Sequence, residues 1–292
     1  MEKVKQSYGI LLLLLLSVGV TAQIEVMTYN IRNSNARDGE NQWDKRKHRL
    51  SALIRKVNPD VLGTQEVLSD QLHDLQAEFK DYIAFGVGRD NGKHAGEHCA
   101  IFIRKDKFDL LNGGNFWLSE RPERVGSISW DAAITRICTW VKLKDILTGT
   151  EFIVLNTHLD HKGEVARRKS AQLIRNRADN LAGQLPVIVT GDFNFTPTDT
   201  AYAYMLTDRD HTALLKDTYN SHSPDFTCCG FKVSNTDCSR IDYIFCSAGL
   251  ITSDYTVHSD NNGTNYPSDH LPVSVKVNLH SRKRQDLTPD KK

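Results

Sequence analysis

Eight short apolar runs punctuate the chain, and several follow one another with no helical pattern between them. They are IEVMTYNI (24–31), DVLGTQ (60–65), AIFI (100–103), ICTWVKL (137–143), FIVLNTHL (152–159), PVIVTGD (186–192), IDYIFC (241–246) and LPVSVKV (271–277). Short runs rich in β-branched and aromatic residues read as strands. Helical spacing appears in two places: Leu50, Leu53, Ile54 and Val57 fall at i, i+3, i+4 and i+7, and Ile174, Ala178 and Leu181 keep the same period. Strands alternate with helices only in part, which excludes a regular parallel α/β repeat and predicts an α+β layered arrangement.

With 292 residues, 39% of them apolar and 25% charged, the chain suits one large domain or two small ones. The N-terminus stands apart. Lys3 and Lys5 precede an apolar stretch from Ile10 to Val20, and Val20-Thr21-Ala22 fits a small-residue cleavage signal. That stretch is well short of the ~20 residues a spanning helix needs. Residues 1–22 are therefore expected to be a signal peptide, with an uncleaved anchor as the alternative. The folded domain is expected over 23–280, followed by a polar tail at 281–292, in a secreted or periplasmic protein.

Export bears on the six cysteines, because thiols outside the cytoplasm can oxidise. Cys228, Cys229 and Cys238 could close a loop by a bridge whose pairing is open, whereas Cys99, Cys138 and Cys246 lie in strand-like contexts and read as buried thiols. No cysteine spacing resembles a zinc site. Charge is balanced at 37 Lys and Arg against 36 Asp and Glu, and removing Glu2, Lys3 and Lys5 with residues 1–22 leaves 35 against 35. A neutral chain has no general electrostatic footprint for nucleic acid, although a local basic patch remains compatible with one.

Polar residues recur at the ends of the strand-like runs. Asn30 ends the first, Glu66 follows the second, and His158, then Asp192 and Asn194, stand at the ends of two more. Asp242 begins another, and Asp269-His270 precedes the last. Each has a plain structural explanation on its own: a turn former, a loop carboxylate, a core histidine, or an acid near a helix start. Together, carboxylates, amides and two histidines on one edge of a layered fold would make a cleft for a divalent cation and a phosphate, since hard cations choose oxygen ligands.

In order along the chain, MTYNIR, TQE, NTHLDH, GDFN, SRIDYIF and SDHLPV resemble the motif series of the endonuclease/exonuclease/phosphatase superfamily, from about residue 24 to about residue 278. The resemblance implies a four-layered α/β/β/α sandwich, two mixed β-sheets packed face to face with helices outside. It also implies metal-dependent hydrolysis of a phosphate ester, most simply a phosphodiester, with Mg2+ as the expected cation and Mn2+ or Ca2+ as alternatives. By the same resemblance Glu66 is similar to the principal metal ligand, with Asn30 and Asp269 beside it. Asp192 is similar to the residue that orients or deprotonates the attacking water, and Asn194 to one that holds the phosphate. His270 resembles the phosphate-binding histidine and Asp242 its orienting carboxylate. His158 resembles a second histidine, with Glu97 behind it.

Two departures weaken a duplex-DNA substrate. Leu68 stands where the deoxyribonuclease branch has an arginine, and His158 where abasic-site nucleases carry a tyrosine. Arg32 replaces an acidic residue of those nucleases, which puts a second metal contact near Asn30 in doubt. Other segments resemble an exported bacterial branch of the superfamily: NARDGENQW, GVGRDNGKHAGE, SWDAAITRICTW and THLDHKGEVARR. In them Arg89, Arg136 and Arg168 are candidate phosphate contacts, with surface charge as the plain alternative. Trp43 and Trp130 either cover a base or sugar or belong to the core, the commoner place for an aromatic residue. Asp160 and His161 either line the site or begin a helix.

The expected substrate is a nucleotide, a nucleic acid or another small phosphate ester, acted on by a monomer. Two alternatives remain: a sphingomyelinase-like hydrolase of membrane lipid, which would need an exposed apolar hairpin, and an inactive binding module on the same scaffold. The calcineurin-like phosphoesterases, which follow GD with an asparagine-histidine pair, are disfavoured by Phe195 after Asn194.

Overall fold

The computed structural model describes residues 23–207 and 214–279. The expected signal peptide and polar tail lie outside these residues. Among the described residues no helix is long and apolar enough to cross a membrane.

Among the described residues twelve strands form two six-stranded sheets. The first has the order β11 (Ile251–Val257), β12 (Val273–Asn278), β1 (Gln23–Asn30), β2 (Val61–Gln65), β4 (Ile101–Arg104), β3 (Tyr82–Phe85). The second runs β5 (Phe108–Trp117), β6 (Ile137–Asp145), β7 (Glu151–His158), β8 (Val187–Asp192), β10 (Asp242–Ser247), β9 (Leu215–Asp217). Both are mixed: β1 pairs with β2, and β7 with β8, in parallel, and the other pairs are antiparallel. Helices α1 (Trp43–Val57) and α2 (Ser69–Glu78) go with the first sheet, and α3 (Glu164–Ala182) and α4 (Thr200–Leu206) with the second. The predicted sandwich is the observed one.

Alternation along the strands explains the layers. Met27, Tyr29 and Leu62 pack outward on Leu50, Leu53 and Ile54 of α1. Ile153, Leu155, Val187 and Val189 pack outward on Ile174 and Ala178 of α3. The intervening positions, Val26, Val61, Val154, Ile188 and Ile244, meet between the sheets. A central strand is thus covered on both sides, which is why its sequence is an almost continuous apolar run. Burying each such side chain is worth about 1.5–3 kcal/mol.

The alternation also sets the site. Inward positions read Ile24, Val26, Thr28, Asn30 on β1; Phe152, Val154, Asn156, His158 on β7; and Ile188, Thr190, Asp192 on β8. Successive side chains on one face of a strand lie two residues apart, so the space between the sheets grades from hydrocarbon to small polar groups to ionisable ones.

The bridge in the 228–238 loop joins Cys229 to Cys238, while Cys99, Cys138 and Cys246 are buried free thiols and Cys228 is a half-buried free one. Trp43 is a core residue, its indole donating to Asp74.

Candidate active site

Register places the second sheet's ionisable groups side by side. His158 pairs with Asp192, and Asp192 with Asp242, across β7, β8 and β10. From the first sheet, Asn30 ends β1 and Glu66 follows β2. Glu66 holds a left-handed backbone, φ 61°, and Asn194 another, φ 50°. Asparagine tolerates that region, but at a glutamate it is uncommon, and such strain persists only where the surroundings enforce it.

The enforcing contacts are specific. Glu66 Oε2 accepts Asn33 N–H at 3.1 Å and Asn33 Nδ2 at 2.8 Å. Asn30 Nδ2 donates to Glu66 Oε1 at 3.1 Å and to Asp192 Oδ2 at 2.9 Å, joining the two sheets. Its own carbonyl accepts Arg32 N–H at 3.0 Å, which fixes the amide's orientation. Asn30, expected among the metal ligands, therefore turns its NH2 to the site and braces two carboxylates, because its oxygen is engaged by the backbone.

His270 Nδ1 lies 2.9 Å from Asp242 Oδ2, and Thr227 Oγ1 donates to that same oxygen at 2.6 Å. His270 Nε2 is 3.8 Å, and His158 Nε2 3.4 Å, from Asp192 Oδ2. Asn194 Nδ2 donates to the Leu159 carbonyl and reaches His158 Nε2, both at 3.0 Å. Glu97, expected behind His158, is 4.0 Å from its Nδ1 but accepts a 2.5 Å hydrogen bond from Arg89.

The charge pattern is uneven. Burial alone would lower the pKa of His270, but Asp242 and Asp192 outweigh it and hold the imidazole well above its ordinary range. His158 goes the other way: burial, then Arg136 and Arg89, push it well below. Burial would raise Glu66, yet His270 and the asparagine donors hold its carboxyl low. Burial raises Asp192, helped by Asp242, and it raises Asp269 as well.

Asp192, Asp242 and His270 each bring one ligand atom within 4.8 Å of the others, a group that could hold a metal ion. Asp242 and His270 are occupied with one another, however, and a protonated ring cannot ligate. Half-buried Glu66 and Asp269 are the better oxygen donors; only Arg32, 3.6 Å from Asp269 Oδ2, forms an ion pair with either of them among the described residues. Glu66, Asp192, Asp242 and Asp269 thus bring four carboxylates to one place. Such a gathering of oxygen donors fits a hard divalent cation.

Arg136 is buried beside Asp160, 3.5 Å from its Oδ2, and its Nη2 lies 3.0 Å from His161 Nδ1, while its Nε and Nη1 are buried without a hydrogen-bond partner. Asp160 in turn accepts the backbone N–H groups of Ala133, Ile134, Lys162 and Gly163. Against burial, these bonds hold its carboxyl at about 2. Arg168 is not drawn in: it is half-buried on α3, and among the described residues no hydrogen bond or ion pair joins it to these groups. Trp130 is half-buried with φ 57° in the loop before Arg136.

Three contributors escape sequence reading. Asn33 holds Glu66, Thr227 holds Asp242, and buried Arg46 donates to the carbonyls of Ile31, Arg32 and Pro267. Asn33 directly follows a motif and could have been flagged on that ground. Thr227 and Arg46 carry no local signal.

The profile of the endonuclease/exonuclease/phosphatase family matches residues 27–270. The endonuclease/exonuclease/phosphatase from Bacteroides vulgatus superposes with a TM-score of 0.83 at 39% identity, covering 88% of this chain and 99% of that one. A mannosyl-6-phosphatase from Bacteroides thetaiotaomicron gives 0.80 at 38% identity, covering 87% and 99%. Nocturnin of Xenopus laevis is 27% identical over 268 residues, and the match spans 80% of this chain but 64% of that protein. Members of the family are divalent-cation-dependent hydrolases of phosphate esters. The chain belongs to the endonuclease/exonuclease/phosphatase family.

Proposed function

We propose that this chain is an Mg2+-dependent phosphoesterase acting on a small phosphate ester. One observation carries the reading: Asn30, His158 and His270 all direct nitrogen at a single oxygen of Asp192, beside Glu66. Asp192, made more basic by burial and by Asp242, orients and deprotonates a water. His270, kept cationic by Asp242, donates to the phosphate. His158 is neutral and positions the other side through Asn194. Glu66 and Asp269 would hold the cation, which supplies neutralisation of charge on the phosphate oxygens. Arg136 and Arg89, largely buried near His158, contribute guanidinium groups for phosphate oxygens.

The mannosyl-6-phosphatase at 38% identity supports a phosphorylated sugar ahead of a nucleotide or nucleic acid. A membrane lipid is disfavoured, because the β11–β12 connection that would carry an apolar hairpin begins with the polar run HSDNNGTN (258–265). Residues 1–22 support an exported, secreted or periplasmic, protein.

The test is hydrolysis by purified protein with Mg2+, Mn2+ or Ca2+. Substrates are bis-p-nitrophenyl phosphate, p-nitrophenyl phosphate, hexose 6-phosphates, nucleic acids and sphingomyelin, with Asp192→Ala as blank. Turnover should vanish with chelator and fall by at least about a thousandfold in Asp192→Ala. Undiminished activity in that variant, or cleavage of sphingomyelin alone, overturns the reading.

A further inference from the structure

The space between the sheets holds a polar layer that the proposed chemistry does not use. Asn156 is wholly buried on β7, two residues before His158. Its Oδ1 accepts from Gln65 Nε2 at 2.7 Å and from Thr190 Oγ1 at 3.1 Å, and its Nδ2 donates to the carbonyls of Thr64 at 2.9 Å and Ala100 at 3.0 Å. Gln65 immediately precedes Glu66, and Thr190 stands two residues before Asp192. One amide thus binds both sheets directly beneath the groups that each contributes to the site.

The layer is closely fitted. A Cβ on Gly63 would lie 2.2 Å from Thr190 Oγ1 and 2.7 Å from Asn156 Oδ1, so the sheets approach this closely only because residue 63 has no side chain. Hydrocarbon would fill such a gap at less desolvation cost. Apolar contact is non-directional, however, and lets sheets slide by tenths of an ångström, whereas a four-bonded amide fixes distance and angle.

We infer that Asn156 is a positioning residue that sets the separation between the two half-sites: Asn30 and Glu66 on one sheet, His158 and Asp192 on the other. The functional part of this inference rests on the phosphoesterase reading; the spacing part does not.

The test compares Asn156→Leu and Gly63→Ala with Val154→Ala, a control on the same strand one inward position deeper. Melting temperature, kcat per folded molecule and calorimetric titration with Mn2+ are measured well below each midpoint. Asn156→Leu and Gly63→Ala should lose on the order of 10- to 100-fold in kcat and bind Mn2+ more weakly. Val154→Ala should lose melting temperature alone. Equal losses in all three, or kcat within about twofold in a folded Asn156→Leu, would make the layer merely structural and end the proposal.

If Asn156→Leu does not fold, Thr190→Val removes the hydroxyl's contacts to Asn156 Oδ1 and to the Leu155 carbonyl at nearly constant volume and takes its place. A crystal structure of Gly63→Ala addresses spacing without reference to activity. The 2.9 Å contact between Asn30 Nδ2 and Asp192 Oδ2 should open beyond hydrogen-bonding distance, and an unchanged contact refutes the inference even if the protein proves to be a phosphoesterase.

Discussion

His158 and His270 approach the same Asp192 oxygen, at 3.4 and 3.8 Å, yet their surroundings shift their pKa values in opposite directions. Both are buried, and burial acts on each in the same direction. Their neighbours decide the difference: Asp242 and Asp192 face His270, whereas Arg136 and Arg89 lie near His158. A pair of like side chains becomes a donor and a neutral partner because Asp242 pairs directly with His270, whereas His158, although near Asp192 and Glu97, is buried in the field of Arg136 and Arg89. Environments that split the pKa values of a pair are how a site divides acid from base.

The largest effect should come from erasing the carboxylate side. Asp242→Asn keeps the shape but removes the charge that sustains the His270 imidazolium. Catalysis should fall on the order of a hundred- to ten-thousandfold. The sign for pH follows from a raised folded pKa: the contribution of His270 to stability is complete below its unfolded value of about 6.5 and is lost as pH rises through the folded value. In Asp242→Asn the alkaline limb of activity should move toward lower pH; a profile that keeps its alkaline limb would show that Asp242 does not set the charge of His270.

On the other side, Arg136→Met removes a positive neighbour of His158. The His158 pKa should rise toward the ordinary range, as read by NMR titration of its ring. Loss of one charge-assisted contact to phosphate should cost about 10- to 100-fold in kcat/KM. If the ring does not shift, Arg136 does not help to set its charge and the comparison loses one of its arms.

A smaller effect is expected from the Cys229–Cys238 bridge, which lies on the His270 side: Cys229 N–H donates to the Asp269 carbonyl at 3.3 Å. Replacing both cysteines by alanine should cost about 2–3 kcal/mol by chemical denaturation. Activity should fall only a few-fold, because Asp242 and Thr227 still hold His270. A collapse of activity in the folded variant would mean that the loop, rather than Asp242, orients the ring.

What could be read from sequence follows the same division between constrained and unconstrained positions. All eight strands anticipated are present, and they are the eight interior strands of the two sheets. The four that escaped notice, β3, β5, β9 and β11, are the four edges. An interior strand here is covered on both faces and declares itself as an apolar run. An edge strand is open along one side: β5 and β11 carry polar or glycine-rich sequence, FDLLNGGNFW and ITSDYTV, and β3 and β9 are only four and three residues long. The motif residues Glu66, Asp192, Asn194, Asp242 and His270 were visible because they end or flank interior strands. Asn33 and Thr227 lie in loops, and the charge of each histidine depends on groups far away in sequence. No local pattern could have supplied it.

Arg168 gives the smallest expected change and the sharpest limit on how far the arginine side extends. Arg89, Arg136 and Arg168 all lie in motif-like segments, but position in a motif says nothing about direction on a helix. Arg167, the neighbour of Arg168, turns inward, donating to the Asp160 carbonyl at 3.1 Å and lying 3.7 Å from Asp199 Oδ2. Adjacent helix residues do not share a face, so Arg168 is turned away from that contact. Arg168→Ala should leave kcat/KM within about twofold, as for a substitution outside any packed or charged network. Arg167→Ala should lower thermal stability by uncoupling the start of α3 from Asp160. A tenfold rise in KM for Arg168→Ala alone would extend the phosphate-binding surface onto α3 and place a third guanidinium beside His158.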